Sequence, residues 1–312
     1  MGKAAVITWN LRASPRRDDV ADEDDSELDA EEHKSPGPTV GEVTGRVTTC
    51  VSGLSRHLNS IGVDRAVVVF QEVPSGFKAV LASATNGAWS VVETASHHVA
   101  IATMGSLDVT RVEALAAAAS PAEDRALLVD VVGLLASRVR IVGLHWLDRW
   151  NTPPGSERNF LGMPFWSNIR QQWDYPESPH FIVLGDFNES PHDDALVSRH
   201  CLWAIRDRAD LKGRTHPKDK RPPLYNPMWG LLPERVSPRH GPHGTFHWYR
   251  PGVSGVRWWH IDQILLSPST VDLLESVNIL VELDGQRLVN KNGKPDKRIA
   301  SDHLPVIAIL GA

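Results

Sequence analysis

Several common protein classes are set aside by what this sequence has little of. It carries only two cysteines in 312 residues, Cys50 and Cys201, too few for a disulfide-stapled framework. Cys50 falls in a helix-like segment and Cys201 sits beside Leu202-Trp203, a setting that predicts two buried, unpaired thiols and a reducing, cytoplasmic compartment. No apolar stretch approaches the roughly 20 residues needed to cross a bilayer. The opening run Ala4-Ala5-Val6-Ile7-Thr8-Trp9 is too short for a signal-peptide core and lacks a cleavage pattern, so no membrane partner is expected. No fixed-period repeat is present. Nor is there a basic excess: 33 Lys and Arg stand against 38 acids, a net charge of −5, so bulk charge does not advertise a polyanion binder.

What is present is an ordinary globular composition, 41% hydrophobic, enough to bury a large core. β-Branched and apolar runs predict strands at Val6–Asn10, Ala66–Phe70, Val99–Met104, Ala126–Val132, Arg138–Leu144, Phe181–Leu184, Thr245–Tyr249, Trp258–Leu266, Val277–Leu283 and Pro305–Leu310. The spacing of Val43, Val47, Val51, Leu54 and Leu58 predicts a helix over 42–61. A second helix is expected over Ser75–Ala84. A third, Ser156–Trp173, carries Pro164 and is expected to kink or split. Asp284-Gly285 reads as a hairpin turn. The mixture is too irregular for a βαβ array and indicates an α/β fold with mixed strands in two sheets and helices outside.

Charge is segregated along the chain. Residues 13–33 hold ten acids against Arg16 and Arg17, a net charge of −8, and the segment 13–40 reads as a mobile acidic loop. Residues 206–260 hold eleven basic residues against four acids, a net charge of +7, interleaved with Tyr225, Trp229, Phe246, Trp248, Tyr249, Trp258 and Trp259. Cations among flat aromatic faces suit phosphate attraction and base stacking, which makes Lys218, Lys220, Arg221, Trp229 and Trp248 candidate substrate contacts. The densest cations, Lys218, Lys220 and Arg221, are expected to face solvent. A proline-rich surface loop whose tryptophans pack on the core accounts for the same composition, and both readings stand at this level.

Phosphodiester hydrolysis needs a hard cation, a group that activates water, donors for the transition-state oxygens and help for the leaving oxygen. Magnesium takes oxygen ligands and often only one or two carboxylates. Six strand-end positions offer such groups: Asn10 in Thr8-Trp9-Asn10; Glu72 in Gln71-Glu72-Val73; His145 in Gly143-Leu144-His145; Asp186 and Asn188 in Gly185-Asp186-Phe187-Asn188; Asp262 in His260-Ile261-Asp262; and Asp302 and His303 in Ser301-Asp302-His303-Leu304-Pro305. Singly, each has a structural explanation, a turn, a cap or a satisfied core histidine.

Together and in this order they resemble the endonuclease/exonuclease/phosphatase superfamily, which includes pancreatic-type DNases, abasic-site endonucleases, deadenylases, inositol-polyphosphate 5-phosphatases and neutral sphingomyelinases. Gly185-Asp186-Phe187-Asn188 and Ser301–Pro305 carry most of the likeness, and Gln71-Glu72 and Ile261-Asp262 support it. The resemblance implies one catalytic domain over 1–312, a four-layer α/β sandwich of two mixed sheets flanked by helices, dependent on Mg²⁺ or Mn²⁺. It also implies roles. Glu72 is the principal metal ligand, assisted by Asn10 and Asp302. Asp186 positions or deprotonates the attacking water and Asn188 orients it. Asp262 anchors a phosphate-facing network and can serve a second metal. His303, its ring oriented by a carboxylate, bonds the scissile phosphate, and His145 stabilises transition-state charge or assists the leaving group. Arg125, in Asp124-Arg125-Ala126-Leu127, resembles a phosphate-contacting arginine of relatives.

Two positions depart from the pattern. Gly143-Leu144 precede His145 where relatives often have Asn or Thr, and His260 stands where many carry an arginine or another polar residue. If strand alternation holds, His260 shares a face with Asp262 and joins the site. Nucleic acid is the expected substrate, with a nuclease leaving 5′-phosphate and 3′-hydroxyl ends. The alternatives are a phosphatase or phosphodiesterase acting on an inositol phosphate or lipid head group, and a module that binds without catalysis.

Overall fold

Apolar residues run unbroken from Ala4 to Ile7, and a strand of that kind has to be covered on both faces. In the computed structural model every residue from Ala4 to Asn10 is buried. Ala4 and Val6 turn into one hydrophobic core, and Ala5, Ile7 and Trp9 into another. The structure describes residues 2–13, 39–112, 124–149, 157–218, 220–232, 242–248 and 256–311, with 157–161 as backbone only. The acidic run from residue 14 onward and Tyr249 lie outside the described residues.

The first half of the chain forms β1 (Lys3–Asn10), α1 (Val40–Ser60), β2 (Val63–Gln71), α2 (Phe77–Ala84), β3 (Trp89–Glu93), β4 (Val99–Met104), β5 (Asp108–Arg111), β6 (Ala126–Val132) and β7 (Val139–His145). There follow α3 (Glu157–Gln171), β8 (His180–Asp186), α4 (Asp194–Val197), β9 (Ala204–Ile205), β10 (Leu224–Tyr225), β11 (Phe246–His247) and β12 (Trp258–Trp259). The last elements are β13 (Asp262–Leu266), α5 (Pro268–Val271), β14 (Leu274–Ile279), β15 (Glu282–Leu283), β16 (Gln286–Arg287) and β17 (Val306–Gly311).

Two large mixed sheets result, one ordered β14-β17-β1-β2-β4-β3 and the other β5-β6-β7-β8-β13-β10-β9. Three apolar cores separate four layers. Val43, Val47, Val51, Leu54 and Leu58 of α1, with Phe77 and Leu81 of α2, cover the outer face of the first sheet. Val67 and Val69 meet Leu127, Val129, Ile182 and Ile264 between the sheets. Phe165, Trp166 and Ile169 of α3 cover the outer face of the second sheet. The α1 stripe is the one its spacing predicts, and the helix opens on a Thr39–Glu42 capping box. The architecture is the α/β sandwich that the sequence implied. Among the described residues no helix is long and apolar enough to cross a membrane.

Three expectations change. α3 does not split: it is one 15-residue helix with Pro164 inside it. The residues after the proline anchor it, since Phe165 stacks on Trp146 at 4.1 Å and Trp166 on Phe187 at 5.7 Å. The run Trp258–Leu266 divides between two sheets, β12 pairing with β11 and β13 with β8, with His260 and Ile261 as the passage between them. The strand expected over Val277–Leu283 ends at Ile279 and resumes as β15, which turns at Asp284-Gly285 into β16. Both turn residues have positive φ, 48° and 79°, as a two-residue hairpin requires.

Glycine is required where β7 and β8 run side by side. Gly185 has φ 155°, and a Cβ there would lie 2.0 Å from the Leu144 carbonyl oxygen, in the strand pair that carries His145 and Asp186. Gly45, on the exposed side of α1, has nothing within 4 Å of a built Cβ. Gly185→Ala should therefore cost at least about 2 kcal/mol. Gly45→Ala should stabilise by about 0.5–1 kcal/mol. Chemical denaturation of both variants measures this, and equal, small effects at the two sites would contradict the packing described.

Candidate active site

The topology gathers the polar strand ends. β1 and β2 run parallel, as do β7 and β8, so Asn10, Gln71, His145 and Asp186 all end strands at one edge of the sandwich. β13 is antiparallel to β8 and starts at that edge, with Asp262 directly opposite Asp186. β17 is antiparallel to β1, so Asp302 and His303, just before its first residue, arrive at the same place. Asn10, Glu72, His145, Asp186, Asn188, Asp262 and His303 are all buried.

The Asn10 amide links the two sheets: its Nδ2 donates to Glu72 Oε1 at 3.2 Å and to Asp186 Oδ2 at 3.0 Å. His145 Nε2 lies 3.6 Å from the same Glu72 oxygen and 3.9 Å from the same Asp186 oxygen. The other Asp186 oxygen accepts from the Asn188 backbone N–H at 2.9 Å, and Asn188 Nδ2 donates to the Trp146 carbonyl at 3.0 Å. His303 Nδ1 bonds Asp262 Oδ2 at 2.8 Å, which turns Nε2 towards Asp186 Oδ2, 4.0 Å away. The carboxylate that the resemblance implied behind His303 is thus Asp262. Ser301 fixes this corner by donating through Oγ to the Asn10 carbonyl at 2.6 Å and accepting the His303 N–H at 3.1 Å.

Two of these residues hold backbone that non-glycine residues rarely adopt, Glu72 at φ 50° and Asn188 at φ 49°. Such conformations cost about 1–3 kcal/mol and persist where neighbours over-determine them. Around Glu72 the neighbours are the His98 carbonyl, which accepts its N–H at 3.1 Å, and the Ala13 N–H, which donates to its carbonyl at 2.8 Å.

Burial and the facing Asp262 carboxylate push the Asp186 carboxyl up to about 7, against the opposing pull of His303, Asn10 and Asn188. Burial alone would lower the His303 imidazole. Asp262, by charge and hydrogen bond, with Asp186 and Asp302 behind it, outweighs that and raises it to about 10. Above neutral pH the cluster therefore concentrates more negative charge than its own donors compensate. Asp262 Oδ1 is buried and, among the described residues, has no hydrogen-bond partner. The anionic donors are carboxylate oxygens with no thiol among them, and those of Asp186 and Asp262 lie within 4.8 Å of one another, while His303, held as an imidazolium, offers no lone pair. This donor set fits a hard divalent cation.

The cleft at this edge is lined by Glu72, Asp186, Asn188, Asp302 and His303, together with Arg12, Asp148, Phe246 and Ile261, which sequence reasoning had not assigned to the site. Arg12 and Asp148 carry no periodic or motif signal. Phe246 was visible only as one aromatic among many, although its ring lies 4.6 Å from that of His303.

Other sequence candidates lie differently. His260 is buried, and its Nε2 meets the Leu231 carbonyl at 3.2 Å. The strand breaks at 260–261, so alternation with Asp262 does not hold and the ring is absent from the cleft lining. Burial lowers its pKa to about 4. The expectation that Arg221 faces solvent is corrected: its guanidinium donates to the Trp173 carbonyl at 2.9 Å and the Gln171 carbonyl at 3.1 Å, tying its loop to the end of α3. Lys218 and Lys220 are exposed as expected. Trp229 is half-buried beneath Arg206, 5.8 Å from its ring, and Trp248 is half-buried with its backbone N–H on the Arg257 carbonyl. Arg125 is half-buried and its carbonyl accepts the His145 backbone N–H at 2.8 Å.

The charge states yield a stability test. The folded chain keeps a proton on Asp186 up to about pH 7, whereas the unfolded chain, with an ordinary carboxyl at 3.8, loses it near pH 4. Stability carried by that proton is complete below the lower value and declines as pH rises through this window. Asp186→Asn keeps the shape and cannot ionise, so in chelator it should melt above wild type at pH 8, with a smaller gap at pH 5. A variant no more stable than wild type at pH 8 would show that Asp186 ionises there without cost.

No protein-family model matches the chain and no curated protein sequence does. Solved structures match over almost its whole length. An endonuclease/exonuclease/phosphatase family protein from Bacteroides thetaiotaomicron superposes with a TM-score of 0.57 at 14% identity, covering 99% of this chain and 97% of that one. TDP2 from D. rerio, complexed with a single-strand DNA product, gives 0.53 at 14% identity, with 99% of each chain covered. The 3′ phosphatase NExo from Neisseria, bound to a product DNA hairpin, gives 0.52 at 16% identity, with 99% of each chain covered. The chain thus has the fold of the endonuclease/exonuclease/phosphatase proteins, as the resemblance of Gly185–Asn188 and Ser301–Pro305 implied.

Proposed function

We propose that this chain is a divalent-cation-dependent phosphodiester hydrolase whose substrate is nucleic acid. The observation that carries the reading is the buried cluster in which Asn10 joins Glu72 to Asp186 beside His145 and the Asp262–His303 pair, set in a cleft. Two proteins of the same fold are described with DNA products, which supports nucleic acid over a small phosphoester.

Glu72 would hold the cation, with the Asp186 carboxylate beside it and the Asn10 Nδ2 bracing both carboxylates. When bound, Mg²⁺ or Mn²⁺ neutralises the anionic substrate and lets a phosphodiester approach a pocket of carboxylates. Asp186 acts on the attacking water. One of its oxygens is pinned by the Asn188 backbone N–H, and burial beside Asp262 makes it a stronger base than an ordinary carboxylate. Asn188 keeps that loop in place through the Trp146 carbonyl. His303, held as imidazolium by Asp262, presents Nε2–H to a non-bridging phosphoryl oxygen. His145 supports the charge that develops at the leaving oxygen. In-line attack of water on phosphorus forms one P–O bond and breaks the bond to O3′, which takes up a proton. The products are 5′-phosphate and 3′-hydroxyl ends.

Hydrolysis of single- or double-stranded DNA or RNA should stop in EDTA and return with Mg²⁺ or Mn²⁺. Asp186→Asn and His303→Ala should each lower kcat by at least about 100-fold. Near-normal turnover in chelator, or in either variant, would refute the roles given. Lys218→Ser with Lys220→Ser, which leaves the Arg221 anchor intact, should reduce the salt dependence of binding to long strands by up to about two units. An unchanged salt slope, with turnover of an inositol phosphate exceeding that of nucleic acid, would instead favour the small-phosphoester reading.

A further inference from the structure

Four carboxylates line the cleft, those of Glu72, Asp148, Asp186 and Asp302. Among its described lining residues the cations are Arg12 and the His303 imidazolium. Arg12 is set in place from several sides. Its backbone is left-handed, φ 44°. Its N–H donates to Asn10 Oδ1 at 2.9 Å, and its carbonyl accepts from Arg46 Nη2 at 3.0 Å. Its own Nη1 pairs with Asp302 Oδ2. Arg46 reaches up from α1 and also donates to the Leu11 and Ala300 carbonyls, so one guanidinium ties the loop after β1 to the loop before β17. A left-handed non-glycine residue is costly and is kept where its surroundings over-determine it. Here the surroundings include two site residues, and the outcome is a guanidinium at the wall of an anionic cleft.

We propose that Arg12 is a substrate-binding residue that grips a phosphoryl oxygen, and that Asp302 positions Arg12 instead of ligating the divalent cation. The proposal rests on the phosphodiesterase reading of the cleft and alters one part of what the sequence resemblance implied, the assignment of Asp302 to the metal. Asp302 differs from Glu72 and Asp186 in its partners. Its Oδ2 engages Arg12 and its Oδ1 faces the Ser301 hydroxyl at 3.4 Å, while Glu72 and Asp186 share the Asn10 amide deeper in. A guanidinium has five N–H donors in a planar fork and can carry a carboxylate on one edge and a phosphoryl oxygen on another. Asp302 then fixes the fork and keeps it from collapsing onto Glu72 or Asp186, where it would compete with the cation. Arg46 is a positioning residue for the same end.

The test separates anion binding from cation binding and needs no turnover. Inorganic phosphate is titrated calorimetrically into the intact Mg²⁺-loaded protein, and Mn²⁺ affinity is read from the free-ion EPR signal. Arg12→Gln should weaken phosphate at least about tenfold. Arg12→Lys, which keeps the charge and loses the fork, should show a smaller loss and serves if the Gln variant does not fold. Asp302→Asn should weaken phosphate by a few-fold, through Arg12. Both Arg12→Gln and Asp302→Asn should bind Mn²⁺ as wild type does, whereas Glu72→Gln should lose it. The proposal is overturned if wild type binds no phosphate, if Arg12→Gln binds it normally, or if Asp302→Asn loses Mn²⁺ as Glu72→Gln does. Phosphate binding that depends on Arg12, in a protein that cleaves no phosphodiester, would sink the hydrolase reading and uphold this one.

Discussion

Asp186 and Asp262 face each other on paired strands, both buried, at the edge where two sheets meet. Two ionised carboxylates at such a position repel, and neither can turn to bulk water for relief. The site is arranged around that conflict. His303 comes in from the other sheet with Nδ1 on Asp262 and Nε2 towards Asp186, and Asn10, also from the other sheet, donates to Asp186. What charge remains unbalanced falls on Asp186 and Glu72, the carboxylates proposed to face the divalent cation. Fold and site are therefore linked, because the pair is tolerable only while both sheets present their strand ends together.

The surrounding structure keeps that alignment. Gly185 allows β7 and β8 to approach so closely that His145 and Asp186 stand in register. Gly143 does the same between the sheets, where a Cβ would come within 2.8 Å of Val69 Cγ1. Trp9 Nε1 donates to the His303 carbonyl at 3.1 Å, and Phe246 lies against the His303 ring. Arg46 binds the two loops that deliver Asn10 and His303. These contacts remove freedom from side chains whose charges would otherwise drive them towards water, and that pre-organisation is what an electrostatic active site needs.

The polar strand ends were legible in the sequence because six of them stand together in the order that the endonuclease/exonuclease/phosphatase proteins share, and Asn10, Glu72, Asp186, Asp262 and His303 do converge. The α1 stripe and the Asp284-Gly285 turn were legible because each is a local rule that its residues obey. Contacts that depend on distant partners were not. Arg221 looked like a solvated cation because its neighbours are charged, yet its donors find carbonyls at the end of α3. His260 was placed by strand alternation, which fails because the chain changes sheets at that residue. Arg12 is a lone arginine without periodicity, and its place in the cleft depends on an ion pair 290 positions away. The helix through Pro164 follows from aromatic packing that local propensity does not contain.

The account rests on His303 being a cation that offsets two buried carboxylates, and an imidazole titration by NMR addresses that directly. With the histidine ring nitrogens labelled and His303 assigned by substitution, the ring should stay doubly protonated well beyond neutrality, its pKa raised to about 10 by Asp262 and Asp186 against the effect of burial. Replacement of Asp262 by Asn should bring it back towards the ordinary histidine range of about 6.5. A His303 ring that titrates near that value in the wild-type protein would contradict the account.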